Sequence, residues 1–106
     1  RVNWRIAVVV PALMALPAMS LPVLLDFFAS WCTPCRMLSA VLDQISDEYD
    51  GMLRVCRVNV DNETDLADVY NISEVPTVIF FVDGSPARRF AGFRTVDEIE
   101  EMIARI

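Results

Sequence analysis

The sequence predicts an α/β fold: a central mixed β-sheet flanked by helices. Three observations carry this expectation. Short apolar runs rich in β-branched and aromatic residues alternate with segments whose apolar residues recur at helical spacing, which implies parallel pairing of the early strands through right-handed crossovers. Asp83-Gly84 lies between two strand-like runs and marks a tight hairpin, hence an antiparallel edge. The chain has 106 residues, a length that suits one domain burying roughly two-thirds of its unfolded surface. The expected organisation is therefore a single domain over residues 1–106.

The elements follow in order. Pro22 to Ala29 is short, apolar and followed by a break, as a buried strand should be. A helix should begin near Cys32–Pro34, because proline fits the first helical turn, where its missing N–H costs nothing. Met37, Leu38, Val41, Leu42, Ile45 and Tyr49 recur at helical spacing, and Asp50-Gly51 ends the helix. Leu53 to Val60 reads as the next strand. Asn62 is placed to cap a short helix, with Leu66, Val69 and Tyr70 on one side. Thr77 to Val82 is a third strand, and Ala87 to Ala91 returns as its hairpin partner. Thr95 and Glu98 form a capping box for a last helix with Ile99, Met102, Ile103 and Ile106 as its stripe. With the apolar start, the order is β(α)–β–α–β–α–β–β–α.

Composition narrows the chemistry. Fifteen acids against nine arginines give a net charge of −6. That argues against a nucleic-acid partner or an anionic membrane surface, which would need a basic patch. No histidine is present, which removes Ser-His-Asp and Cys-His catalysis. Three cysteines cannot close a disulfide framework without one left over.

Residues 1–21 differ from the rest. From Ile6 to Leu25 the only polar side chain is Ser20, and Arg1 and Arg5 are the only charges before Asp26. One reading is an export signal or anchor, with Ala18 and Ser20 near a cleavage site. The other is an apolar strand and short helix of the domain itself. Pro11, Pro17 and Pro22 interrupt the run and argue against a straight membrane span, and the run overlaps the strand before the cysteines. The structural reading is preferred.

Cys32-Thr33-Pro34-Cys35 sets two sulfurs on the first turn of a helix. There the unpaired N–H groups and the positive dipole end favour a thiolate on Cys32, the species that attacks disulfides. Cys35, one turn in, should be more buried and is placed to attack a mixed disulfide formed by Cys32. This chemistry requires no metal and no other cofactor. Half of a zinc site is the competing reading, but three cysteines without histidine fall short of four ligands. A pair of small apolar side chains is the other.

Asp26 lies inside an apolar strand, where a lone carboxylate is costly unless neutral or paired. The expectation is a raised pKa and proton exchange with Cys35; the plainer reading is a strand-end Asp in water. Val75-Pro76-Thr77 precedes the third strand. Proline is allowed at a strand's first residue, and the sharper reading is a cis peptide beside the cysteines whose backbone could pair with an extended peptide.

Trp31-Cys32-Thr33-Pro34-Cys35-Arg36 strongly resembles the active site of thioredoxins. Asp26-Phe27-Phe28-Ala29, Asn59-Val60-Asp61, Val75-Pro76-Thr77, Asp83-Gly84 and Phe90-Ala91-Gly92 fall in the family's order and spacing. The resemblance covers about residues 22–106 and implies a thioredoxin-like fold. It also implies reduction of protein disulfides with electrons from a thioredoxin reductase-type donor. It makes Cys32 the nucleophile, Cys35 the resolving thiol, Asp26 the buried acid and Pro76 a cis-proline. Trp31, Thr33, Pro34, Val75, Pro76 and Gly92 become the substrate-binding set. Arg57 stands where many thioredoxins carry a lysine near the buried Asp, and arginine cannot readily release its proton. Thr33 replaces the family's usual glycine, Phe93 is bulkier than the residue usual there, and residues 1–21 do not resemble the family's first strand and helix.

Cys56, between valines in a central strand, reads as an inert core thiol, and Arg88-Arg89 as a solvated guard on the edge strand. The leading function is a cytoplasmic, monomeric thiol–disulfide oxidoreductase acting on disulfide-containing client proteins. The alternatives are an exported or membrane-tethered oxidase or isomerase, and a binding or scaffold module, natural or redesigned.

Overall fold

The computed structural model describes residues 21–106. Both expectations for the apolar start, the export or anchor segment and the leading strand and helix, lie outside the described residues. Seven elements follow: β1 (Val23–Phe28), α1 (Thr33–Glu48), β2 (Arg54–Asn59), α2 (Thr64–Val69), β3 (Thr77–Val82), β4 (Ser85–Ala91) and α3 (Val96–Ala104). The strands form a mixed sheet in the order β2-β1-β3-β4. β1 runs parallel to β2 and antiparallel to β3, and β4 closes a hairpin on β3.

Strand side chains alternate between faces, and the sheet has a core on each. Leu24, Val55, Val78, Phe80 and Phe90 meet Leu38, Leu42 and Ile45 of α1 and Ile99 of α3 on one face. Leu25, Phe27, Cys56, Val58, Ile79 and Phe81 form the other core, against which Leu66, Tyr70 and Ile72 pack. Tyr70 sets its ring edge-on to Phe81 at 5.6 Å and tilted to Phe27 at 6.0 Å. A strand with both faces covered must be apolar almost throughout, which is why β1 reads as a continuous run.

The buried stripe of α1 is Cys35, Leu38, Leu42, Ile45 and Ser46. Met37 does not belong to it and is 53% exposed, because at 100° per residue it points about 200° away from Cys35. In α2 the N-cap is Glu63 rather than Asn62, and it makes no side-chain capping bond. Val69 is exposed while Leu66 and Tyr70 pack. The β3–β4 turn places Asp83 at φ 52° and Gly84 at φ 81°, the left-handed pair that a two-residue turn between twisted strands requires. The Thr95–Glu98 capping box is present in both directions, and Ile106 lies beyond α3 on the surface.

Arg89 is exposed on the edge strand, as the sequence suggested, and it is also bound there. Its guanidinium donates to the carbonyl oxygens of Tyr70 at 2.8 Å and Asn71 at 3.1 Å. These carbonyls follow the last turn of α2, where cationic donors are favoured. The contact ties α2 to the edge strand.

Leu42→Ala should therefore cost about 2–5 kcal/mol, since it opens a cavity between α1 and the sheet. Val69→Ala should stay within about 0.5 kcal/mol. Urea unfolding of the two variants beside the wild type measures the contrast.

Candidate active site

The end of β1 and the start of α1 build the site. β1 stops at Phe28, and Ala29, Ser30 and Trp31 carry the chain to Cys32, the N-cap of α1. The Cys32 sulfur accepts the backbone N–H of Cys35 at 3.2 Å. A helix whose N-cap is a cysteine thus turns an otherwise unpaired N–H on that sulfur, and the dipole adds to the stabilisation of a thiolate. Pro34 lies in the first turn. Cys32 and Cys35 are joined as a disulfide with Cα atoms 5.2 Å apart. Cys32 keeps slightly more exposure than Cys35, 5% against 1%. Phe28, Ala29, Val60 and Val75 form an apolar collar around the pair.

The remaining residues gather around these sulfurs to different degrees. Cys32 Sγ lies 3.8 Å from the carbonyl oxygen of Val75. The Val75–Pro76 peptide is cis, and the buried Pro76 accepts the N–H of Gly92 on its carbonyl oxygen at 2.9 Å. Gly92 has φ 87°, a conformation that L side chains avoid. Trp31 is 69% exposed and donates from Nε1 to Asp61 Oδ2 at 3.0 Å. Thr33 and Pro34 stand exposed on the first turn of α1, where the Thr33 hydroxyl accepts from Arg36 at 3.1 Å. Arg36 also donates to the Ser30 carbonyl at 3.0 Å, which braces the approach to the cysteines.

A groove of about 320 Å³ is lined by Trp31, Val60, Ile72, Ser73, Glu74 and Val75. Of the substrate-binding set expected from sequence, Trp31 and Val75 line it, while Thr33, Pro34, Pro76 and Gly92 do not. Arg36 and Asp61 belong to the motifs quoted for the resemblance but had no role assigned, and Glu74 was not expected at the site. Adjacency to Cys35 and Val75 was the available signal for Arg36 and Glu74, whereas Asp61 meets Trp31 across thirty residues. Among the described residues, no group of three His, Cys, Asp or Glu side chains is arranged to hold a metal ion.

Asp26 is fully buried, not a strand-end carboxylate in water. Leu24, Asp26 and Phe28 share one face of β1, the face that α1 and α3 cover, and Arg57 is the register partner of Asp26 on β2. Arg57 Nε donates to Asp26 Oδ2 at 3.2 Å. Asp26 Oδ1 has no hydrogen-bond partner among the described residues. Burial raises the Asp26 pKa from 3.8 to about 6, and the attraction and hydrogen bond of Arg57 only partly oppose it. The guanidinium sits over the Phe28 ring at 4.1 Å, which fixes the cation in place. Cys56 belongs to the opposite core, and burial pushes its thiol up to about 11, with Arg54 opposing only in part.

The raised Asp26 pKa has a defined sign in stability. Between about pH 4 and pH 6 the folded chain holds a proton that the unfolded chain has released. Asp26 therefore makes stability fall as pH rises through this window, by about 3 kcal/mol for a shift of this size. Urea unfolding at a series of pH values should find Asp26→Asn gaining on the wild type across pH 4–6 and holding its advantage above it. A constant difference at all pH values would contradict the burial argument.

Comparisons with known proteins agree with this geometry. The sequence profile of the thioredoxin family matches residues 14–105. A thioredoxin from Staphylococcus saprophyticus is 34% identical over 82 residues, covering 77% of this chain and 79% of its own. One from Alicyclobacillus acidocaldarius is 33% identical over 85 residues, covering 80% and 81%. One from Pseudomonas aeruginosa is 42% identical over 64 residues, covering 60% and 59%. With a disulfide-forming Cys32–Cys35 pair at the head of α1, these matches show that the chain belongs to the thioredoxin family of protein thiol–disulfide oxidoreductases.

Proposed function

We propose that the protein reduces disulfides in client proteins, with electrons returned by a reductase of the thioredoxin reductase type. The observation that carries this reading is the Cys32 sulfur, held at the N-cap of a sixteen-residue helix and beside the Val75 carbonyl. In the reduced protein, the Cys32 thiolate attacks one sulfur of the client disulfide. A Cys32–client disulfide forms and the other client sulfur leaves as a thiolate. Cys35, deprotonated, then attacks Cys32 Sγ. The mixed disulfide breaks, the second client sulfur leaves, and the Cys32–Cys35 disulfide closes. Two electrons have passed to the client, and the donor restores the dithiol with two electrons and two protons.

Asp26 is assigned the proton of Cys35. Its burial on the face that α1 covers and a pKa of about 6 support this, since a base works best when it titrates near the working pH. Arg57 is assigned the fixed charge that sets this value. Trp31 and Val75 receive the client chain, with Thr33, Pro34, Pro76 and Gly92 shaping the surface around Cys32. A reductant needs a compartment that keeps its dithiol reduced, so the reading assigns the protein to the cytoplasm, acting as a monomer. No helix among the described residues is long and apolar enough to cross a membrane.

Turnover of a disulfide-bonded client with a dithiol donor tests the assignment. Cys32→Ser should abolish reduction, and Cys35→Ser should accumulate a client adduct visible by mass. Cys56→Ala should leave turnover intact, because its thiol is buried on the other face. Reduction that survives Cys32→Ser would overturn the reading. A Cys32–Cys35 potential near about −120 mV, as in strong dithiol oxidants, rather than near the thioredoxin value of about −270 mV, would turn it towards oxidation.

A further inference from the structure

The groove beside Cys32 has a chemical character that disulfide exchange alone does not require. Trp31, Val60, Ile72 and Val75 give it apolar walls, and Ser73 and Glu74 supply its polar lining. Glu74 is exposed, and its carboxylate makes no hydrogen bond or ion pair among the described residues. Its backbone is held, because the Thr77 hydroxyl donates to the Glu74 carbonyl at 2.7 Å. A second carboxylate, Asp61, accepts from Trp31 Nε1 at 3.0 Å without lining the groove itself. Among the described residues no cation lines the groove. Arg36, close in sequence, spends its donors on Ser30 and Thr33 outside it.

An exposed indole face, apolar walls and an unpaired carboxylate together suit one kind of side chain. A lysine or arginine can lay its aliphatic stem on the walls, set its charge over Trp31 and meet Glu74. An acidic side chain at the same place would face the Glu74 carboxylate with no cation lining the groove to offset it. The net charge of −6 acts in the same direction at longer range.

We propose that this groove selects client segments carrying a lysine or arginine next to the cysteine that Cys32 attacks. The inference rests on the reductase reading and adds a substrate class to it. Glu74 is the specificity-determining residue, and Trp31 is the surface on which the cation is held.

The test uses the full chain and disulfide-linked peptides that differ only in one residue beside the cysteine: Arg, Gln or Glu, placed first before and then after it. At low ionic strength kcat/KM should favour the Arg peptide over the Glu peptide by about two- to fivefold in at least one register, the range of an exposed ion pair. The ratio should shrink towards unity in high salt. Within each variant the same ratio is read again: Glu74→Gln should reduce it and Glu74→Arg should invert it. Equal rates for the Arg and Glu peptides, or a preference that Glu74→Arg leaves in place, would overturn the proposal. If the wild type fails to reduce even the Gln peptide, the reductase reading itself falls, so the two failures are told apart.

Discussion

The structure depends on the two-sided burial of β1. This strand pairs with β2 on one edge and with β3 on the other, and it supplies residues to both cores. Its side chains are buried on one face against α1 and α3 and on the other against Leu66, Tyr70 and Ile72. Because β1 ends at Phe28 and α1 begins at Thr33, the cysteines fall where a rigid strand hands the chain to a helix N-terminus. Loop geometry alone would hold the sulfur loosely. Here the apolar collar and the Cys35 N–H hold it, with the Val75 carbonyl oxygen 3.8 Å away.

The same burial creates the electrostatic tension in the site. A carboxylate in the middle of β1 loses water on every side, and one hydrogen bond from Arg57 does not replace it. Burial outweighs the cation, which leaves Asp26 titrating close to neutrality rather than deep in the acid range. An arginine in this place changes the balance in one respect. Its charge persists at every accessible pH, and the Phe28 ring beneath it keeps the guanidinium from swinging away. Asp26 is thereby the group of the pair that is free to change protonation state.

Much of this was legible in the chain because the signals are local. β1, α1, β2, β3, the Asp83-Gly84 turn and the Thr95 capping box follow from periodicity, turn chemistry and capping, each decided within a few residues. The misreadings arose where packing from a distant element decides. Met37 and Val69 fit an apolar list but fall off the buried stripe, because stripe width depends on what lies opposite. Arg89 is the surface charge it reads as, but its bonds to carbonyls at the end of α2, eighteen and nineteen residues away, were not legible. Asn62 resembles a cap, yet the chain turns one residue later at Glu63.

The sequence by itself determined the chemistry: two thiols one helical turn apart, a carboxylate in an apolar run, a proline before a strand and no histidine to compete. These are properties of residue type and spacing, and they hold whatever the chain packs against. Only the tertiary structure decided how the parts act on one another. Arg57 meets Asp26 across thirty-one residues, Val75 meets Cys32 across forty-three, and Glu74 lines the groove beside Trp31. Desolvation and charge attraction depend on distance in space, and the sheet register and the folding of α1 onto it set those distances.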